Sequence, residues 1–374
     1  MNLVAPPGVE QLREYLGRSL FSRVAGPAGP ENRDRIHYAP GPRWFGPDRP
    51  IRRVHGDASM FIGGLSALLL QSLHPLAMAA VAAHSGYRGD PWGRLQRTST
   101  FLAVTTFGRA EDAERAVARV RAVHRMVSGV TSGGEPYRAA DPHLLGWVHA
   151  AEVASFLGAH QRFGAAPLDG TGCDGYLADT ARIASALGAE APPADRAALA
   201  ARLAAYRPEL RATSQAREAA RFLLFRPPLP VPALAPYAVL AANAVALLPP
   251  WARELLGLPC PPLVERMCVR PAGHALTGAI RWAMPLAAAR RRRLRAPPGS
   301  DGWPAVVLAP AGPHLGRGAR RGRGLGGPLL GRGEREDRHE VRLPAGLQGA
   351  QGFTAGDVRA PDAHREAAGG RRPR

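Results

Sequence analysis

The alternation of apolar and polar positions divides the chain into helix-sized stretches separated by Gly and Pro. An amphipathic run covers Val9 to Phe21, and Gly/Pro/Arg-rich sequence continues to Pro50, so residues 1–50 read as a leading segment that wraps onto a domain. From Ser59 the character changes. Met60 to Ala83 carries no formal charge and is long enough to cross a bilayer, but Gly63-Gly64, Gln71, His74 and Pro75 interrupt it. A buried helix kinked near Pro75 is the better reading. Helices are expected over Trp92–Phe107 and Ala110–Val127, the latter with Glu111 and Asp112 in its first turn and Val117, Val120, Val123, His124 and Val127 on one face. Gly129 and a Gly133-Gly134 turn end it. Asp141-Pro142 is an N-cap followed by proline at the first helical position, and an apolar stripe then runs to about His160. Tyr176–Leu187 and Ala194–Leu203 read as helices too. Further ones lie between the Pro-rich segments 227–236 and 259–262, and over Gly273–Arg290. Sustained period-two alternation is absent, so the expected class is all-α.

Composition changes this picture mainly at the C-terminus. The 374 residues carry a net charge of +19, and every basic residue is arginine. Residues 290–374 hold 18 Arg against 8 acidic residues, so more than half of the excess lies in less than a quarter of the chain. Residues 51–290 form the expected helical domain, whereas 291–374 read as a disordered Arg/Gly/Pro-rich tail. The Arg/Gly repeats from Gly316 to Gly324 are of the kind found in RNA-binding tails, but arginine without lysine reflects coding bias as much as selection, which makes a nucleic-acid partner a weak reading. Three cysteines without CxxC or CxxCH exclude a thiolate zinc site and covalent c-type haem, and point to a reducing, cytoplasmic compartment. The N-terminus lacks the pattern of a secretory signal. Peripheral membrane contact through 273–290 and its Arg run, aided by apolar 234–248, is a further expectation.

Candidate chemistry centres on histidines in apolar surroundings. Arg121 and His124 are i and i+3 on one helical surface; neutral imidazole is a ligand for haem iron, and the guanidinium suits a propionate. A satisfied core histidine fits the same pattern. Arg94 and Thr98 form an i, i+4 pair, with Arg97 beside them, able to donate to bound oxygen or to cap and pair structurally. His74, at the expected kink, is a candidate distal or acid/base residue. His149 and Glu152 face together, but their order and spacing match neither the HExxH zincin pattern nor the Glu-x-x-His repeats of di-iron bundles, and they read as structural or supporting residues.

Several ordered motifs together resemble the mpaB-type/rubber oxygenase (latex-clearing protein-like) family. They are His55-Gly-Asp-Ala-Ser59, Gly63-Gly64, Leu70-Gln-Ser-Leu-His-Pro75, Gly86-Tyr-Arg-Gly-Asp-Pro-Trp-Gly-Arg94, Arg97-Thr98, Thr105-Thr-Phe-Gly108, Arg121-Ala-Val-His124, Tyr137-Arg-Ala-Ala-Asp-Pro142 and Trp147-Val-His149. The resemblance implies a globin-like helical core around non-covalent haem b (iron protoporphyrin IX). It makes His124 the proximal ligand, Arg121 its orienting or propionate partner, Arg94 and Thr98 residues of the oxygen side, and His74 a distal residue. The implied reaction is oxidative cleavage of a carbon–carbon double bond in an apolar, isoprenoid-type or lipid substrate by dioxygen. One departure stands out: the family's glutamate base has no counterpart between His74 and Ala83. Two alternatives remain, a non-catalytic haem sensor or carrier and an Arg-rich protein binding nucleic acid or membrane surfaces.

Overall fold

A computed structural model describes residues 7–86 and 89–284, all within one compact unit. The expected tail at 291–374 lies outside the described residues. The helices are α1 (Pro7–Ala25), α2 (Gly29–Tyr38), α3 (Pro50–His55), α4 (Met60–Gln71), α5 (Pro75–His84), α6 (Pro91–Phe107) and α7 (Ala110–Met126). After a short hairpin of β1 (Ser128–Val130) and β2 (Pro136–Arg138) come α8 (Pro142–Phe163), α9 (Gly170–Leu187), α10 (Arg196–Tyr206), α11 (Ser214–Phe225), α12 (Val231–Leu247) and α13 (Pro250–Leu256). The last helical stretch joins α14 (Pro262–Val264) to α15 (Arg270–Ala283) through a π-helical turn over Glu265–Val269. The class is all-α as expected.

Local chemistry explains the boundaries. The side chains of Asp90, Asp141, Asp169, Asp195 and Thr213 each accept a backbone N–H from the first turn of the following helix, at 2.7–3.1 Å. Those caps also account for differences from the sequence reading. Asp169 caps α9, which starts at Gly170, six residues before the expected Tyr176, and Asp195 caps α10, which starts at Arg196, two residues beyond the expected Ala194. The stretch expected as loop before Pro50 contains α2, which has Pro30 in its first turn and buries Ile36. The Gly133-Gly134 turn closes a hairpin in which Gly129 pairs with Tyr137, a three-residue ladder too short to show as alternation.

The core is built on α4 against α8. Gly63 makes the crossing close: a Cβ there would sit 3.1 Å from Ala159 Cβ and 3.2 Å from Phe156 Cα. Trp147, fully buried on α8, donates its indole N–H to Gln71 O at 3.1 Å, and the Gln71 amide returns a bond to Val148 O. The uncharged run therefore turns inward. It bends by 108° between α4 and α5, at the expected kink. Among the described residues no single helix is long and apolar enough to span a membrane; two bent pairs, α4 with α5 and α12 with α13, pass by length and composition together.

The C-terminal helix is tied back by charge. Arg281 of α15 donates to both oxygens of buried Asp57 at 2.9 and 2.8 Å, and Asp57 also accepts from the backbone N–H of Ser59 and Ala165. Burial alone would raise the Asp57 pKa, but these hydrogen bonds outweigh it and hold the carboxyl down to about 2.

Candidate active site

Four elements converge on His55. From the end of α3 its Nδ1 is 2.8 Å from Thr106 Oγ1 on α6, and its Nε2 is 3.3 Å from the Tyr176 hydroxyl on α9. Phe156 of α8 meets its ring edge to face. One turn before Phe156, Glu152 lies near Tyr176. Burial pushes the Tyr176 phenol well above its usual range, and the Glu152 charge adds to that. Burial raises the Glu152 carboxyl to about 7, with no offsetting cation among the described residues. The same cause holds His55 near 3 and His149 near 4, so both imidazoles are neutral at physiological pH. Glu152, His149 and His55 lie deep in the fold yet retain accessible surface.

α7 packs on α6 and α9, whereas α8 packs on α4 and α9, with α3 bridging α6, α8 and α9. His124, half-buried on α7, has its pKa lowered by burial and its Nδ1 shielded from solvent without a hydrogen-bond partner. His149 Nε2 is buried and unpartnered too. Such orphaned nitrogens are costly unless another group satisfies them. Neutral imidazoles with unsatisfied nitrogens fit a metal-centred cofactor such as haem.

The sequence candidates are dispersed. Arg121, though one turn from His124, is exposed and donates to Ala186 O at 3.4 Å, at a shallow surface hollow shared with Trp44, Glu114 and Arg125. Arg94 donates to Ser85 Oγ at 2.7 Å and Arg97 pairs with Asp90 at 3.3 Å, while Thr98 is exposed. His74 does not join this centre's contacts; it sits with Glu209, His143, Trp147 and Tyr206. Sequence reasoning gave His55 and Tyr176 no role of their own, placed Thr106 only within the Thr105-Thr-Phe-Gly108 motif, and assigned Glu152 a supporting place. His55 and Thr106 both lie in the ordered motifs, but nothing local joins them, since the partners of His55 are 51 and 121 residues away.

Fold and centre together define an all-helical protein with a buried, mostly uncharged set of titratable groups. The chain belongs to the family described as the ER-bound oxygenase mpaB/B'/rubber oxygenase catalytic domain, which matches residues 52–289. Among curated proteins it is similar to uncharacterized proteins of Mycobacterium bovis and Mycobacterium tuberculosis, each 33% identical over 97 residues, 26% of this chain. The match spans 38% of the length of those relatives. No solved structure matches.

Proposed function

We propose that the protein is a haem b-dependent oxygenase that cleaves a carbon–carbon double bond in an apolar, isoprenoid-class substrate. The observation that carries this reading is His124, an imidazole kept neutral by burial, with a buried ring nitrogen that has no hydrogen-bond partner among the described residues, in a chain of an oxygenase family. In this reading His124 would hold the haem iron, Arg121 would meet a propionate, and Arg94 with Thr98 would supply hydrogen-bond donors to bound dioxygen. When bound, haem supplies the activation of dioxygen, and both oxygen atoms end in the two carbonyl products. The protein's own contribution is exclusion of water by the apolar residues of α4 and α6, and proton holding by Glu152. At a pKa of about 7 that carboxyl changes charge at working pH, as an acid/base group must. It is the carboxyl that α5, with none of its own, does not provide.

Full-length protein expressed with haem supply should show a Soret band, and His124→Ala should abolish or shift it. Protein that stays colourless and iron-free after reconstitution overturns the reading. The acid-free α5 favours one alternative, a haem carrier or sensor. Glu152→Gln separates the two: loss of oxygen-dependent carbonyl products from polyprenyl lipids, with the Soret band retained, marks the enzyme, whereas wild-type protein that binds haem and forms no product marks the carrier.

A further inference from the structure

Away from that centre, three side chains from three elements point at one spot. His74 Nε2 lies 3.2 Å from Glu209 Oε2, and His143 Nε2 lies 2.9 Å from the same oxygen and 3.0 Å from Oε1. The three donor atoms all fall within 4.8 Å of one another. We propose that His74, His143 and Glu209 form a site for one divalent transition metal of the zinc class, with water completing the shell. The inference is independent of the haem reading.

Donor type and spacing both suit such an ion. Two imidazole nitrogens and one carboxylate are borderline-soft ligands that favour zinc, copper or nickel over magnesium or calcium. Bonds of about 2.0–2.1 Å in a tetrahedral shell place donor atoms about 3.3 Å apart. The two contacts to Glu209, 2.9 and 3.2 Å, need to spread by only a few tenths of an ångström, and the two imidazole nitrogens, within 4.8 Å of each other, settle to the same separation by small side-chain rotations. His74 is buried, whereas Glu209 and His143 remain open to solvent, with side chains 39% and 52% exposed. That gives the ion a route in and leaves positions for water.

The scaffold holds the donors in place before any ion arrives. Pro75 forces His74 into extended backbone, φ −85° and ψ 116°, at the bend between α4 and α5. The Arg211 N–H, just beyond the turn carrying Glu209, donates to Leu73 O at 2.9 Å. Tyr206 Oη donates to His143 O at 2.7 Å, and the Asp141 cap accepts from His143 N. Little ordering is left for binding to do. Two features moderate the affinity: Arg211 is a nearby cation, although it pairs with Glu135 at 3.1 Å, and His74 Nδ1 lacks the partner that would strengthen the ring as a ligand. Binding in the micromolar range follows. The ion would clamp the α4/α5 bend, the start of α8 and the turn after α10, stabilising the fold by mass action.

The test is zinc titration of the chelator-stripped full-length chain, by calorimetry and by thermal melting. One zinc per chain at micromolar Kd with a raised midpoint is expected. Glu209→Gln and His143→Ala should each weaken binding at least tenfold and remove the midpoint shift. Circular dichroism of each metal-free variant, matched to wild type, establishes that it folds. Cobalt(II) substitution of the haem-free protein should give visible bands of nitrogen/oxygen coordination without a thiolate charge-transfer band, which separates this site from Cys260 and Cys268. No stoichiometric zinc binding, binding that both variants leave unchanged, or a thiolate spectrum overturns the assignment.

Discussion

Replacing Glu152 by glutamine should make the protein more stable in mild alkali and leave it unchanged in acid. The Glu152 carboxyl is raised by burial from 4.5 to about 7, so the folded state binds its proton more tightly than the unfolded chain does. Below pH 4.5 both states are protonated and the group contributes no pH dependence. Between 4.5 and 7 the unfolded chain ionises while the folded one resists, and stability falls as pH rises. A shift of this size corresponds to about 3 kcal/mol at about 1.4 kcal/mol per pKa unit. That figure is an upper bound because the carboxyl keeps accessible surface. Glutamine is near-isosteric and cannot ionise. Urea denaturation of wild type and Glu152→Gln from pH 4.5 to 8 should therefore give curves that coincide at the acid end and separate by up to about 3 kcal/mol at the alkaline end, the variant being the more stable. A difference that is flat with pH, or one that grows toward acid, refutes the placement of Glu152 as a buried carboxyl without a cation.

Other outcomes follow from the same packing and charges. Asp57→Asn breaks a buried, bidentate pair with Arg281 and should cost about 3–5 kcal/mol at pH 7; the wild-type contribution from Asp57, whose pKa is depressed from 3.8 to about 2, is present above pH 3.8 and disappears as pH falls through 2, which acid titration of the two proteins checks. Gly63→Ala drives a methyl to within 3.1 Å of Ala159 and 3.2 Å of the Phe156 backbone and should cost about 1–3 kcal/mol by chemical denaturation. Trp147→Ala empties a fully buried position and removes the bond to Gln71, and should cost about 3–5 kcal/mol, measured in the same way.

Helix class and most helix positions are legible in the chain because their determinants are local. Asp141-Pro142 starts α8 where capping chemistry says it should, and His74-Pro75 breaks the uncharged run because proline forbids continued helix at that point. Uncharged residues from Met60 to Ala83 are ambiguous only in what covers them, and that depends on partners: α8 and α12 pack against α4. The family motifs are similarly legible as ordered words. Their assembly is not, since His55 acquires Thr106 and Tyr176 through contacts between helices far apart in sequence.

Candidate chemistry divides along the same line. Periodicity places Arg121 and His124 on neighbouring positions of α7, but a helix face spans both rim and interior, and tertiary packing leaves the arginine in solvent while shielding the imidazole. Glu152 reads in the sequence as a structural or supporting neighbour of His149, and only the surrounding helices, by removing its water, raise its carboxyl toward neutral pH. His74, His143 and Glu209 become neighbours only when the α4/α5 bend, the start of α8 and the turn after α10 meet. Local residue order thus specifies where helices begin, bend and end. Which ionisable groups lose their solvent, and which of them share a site, is decided by the packing of those helices, because desolvation and ligand geometry depend on distances through space.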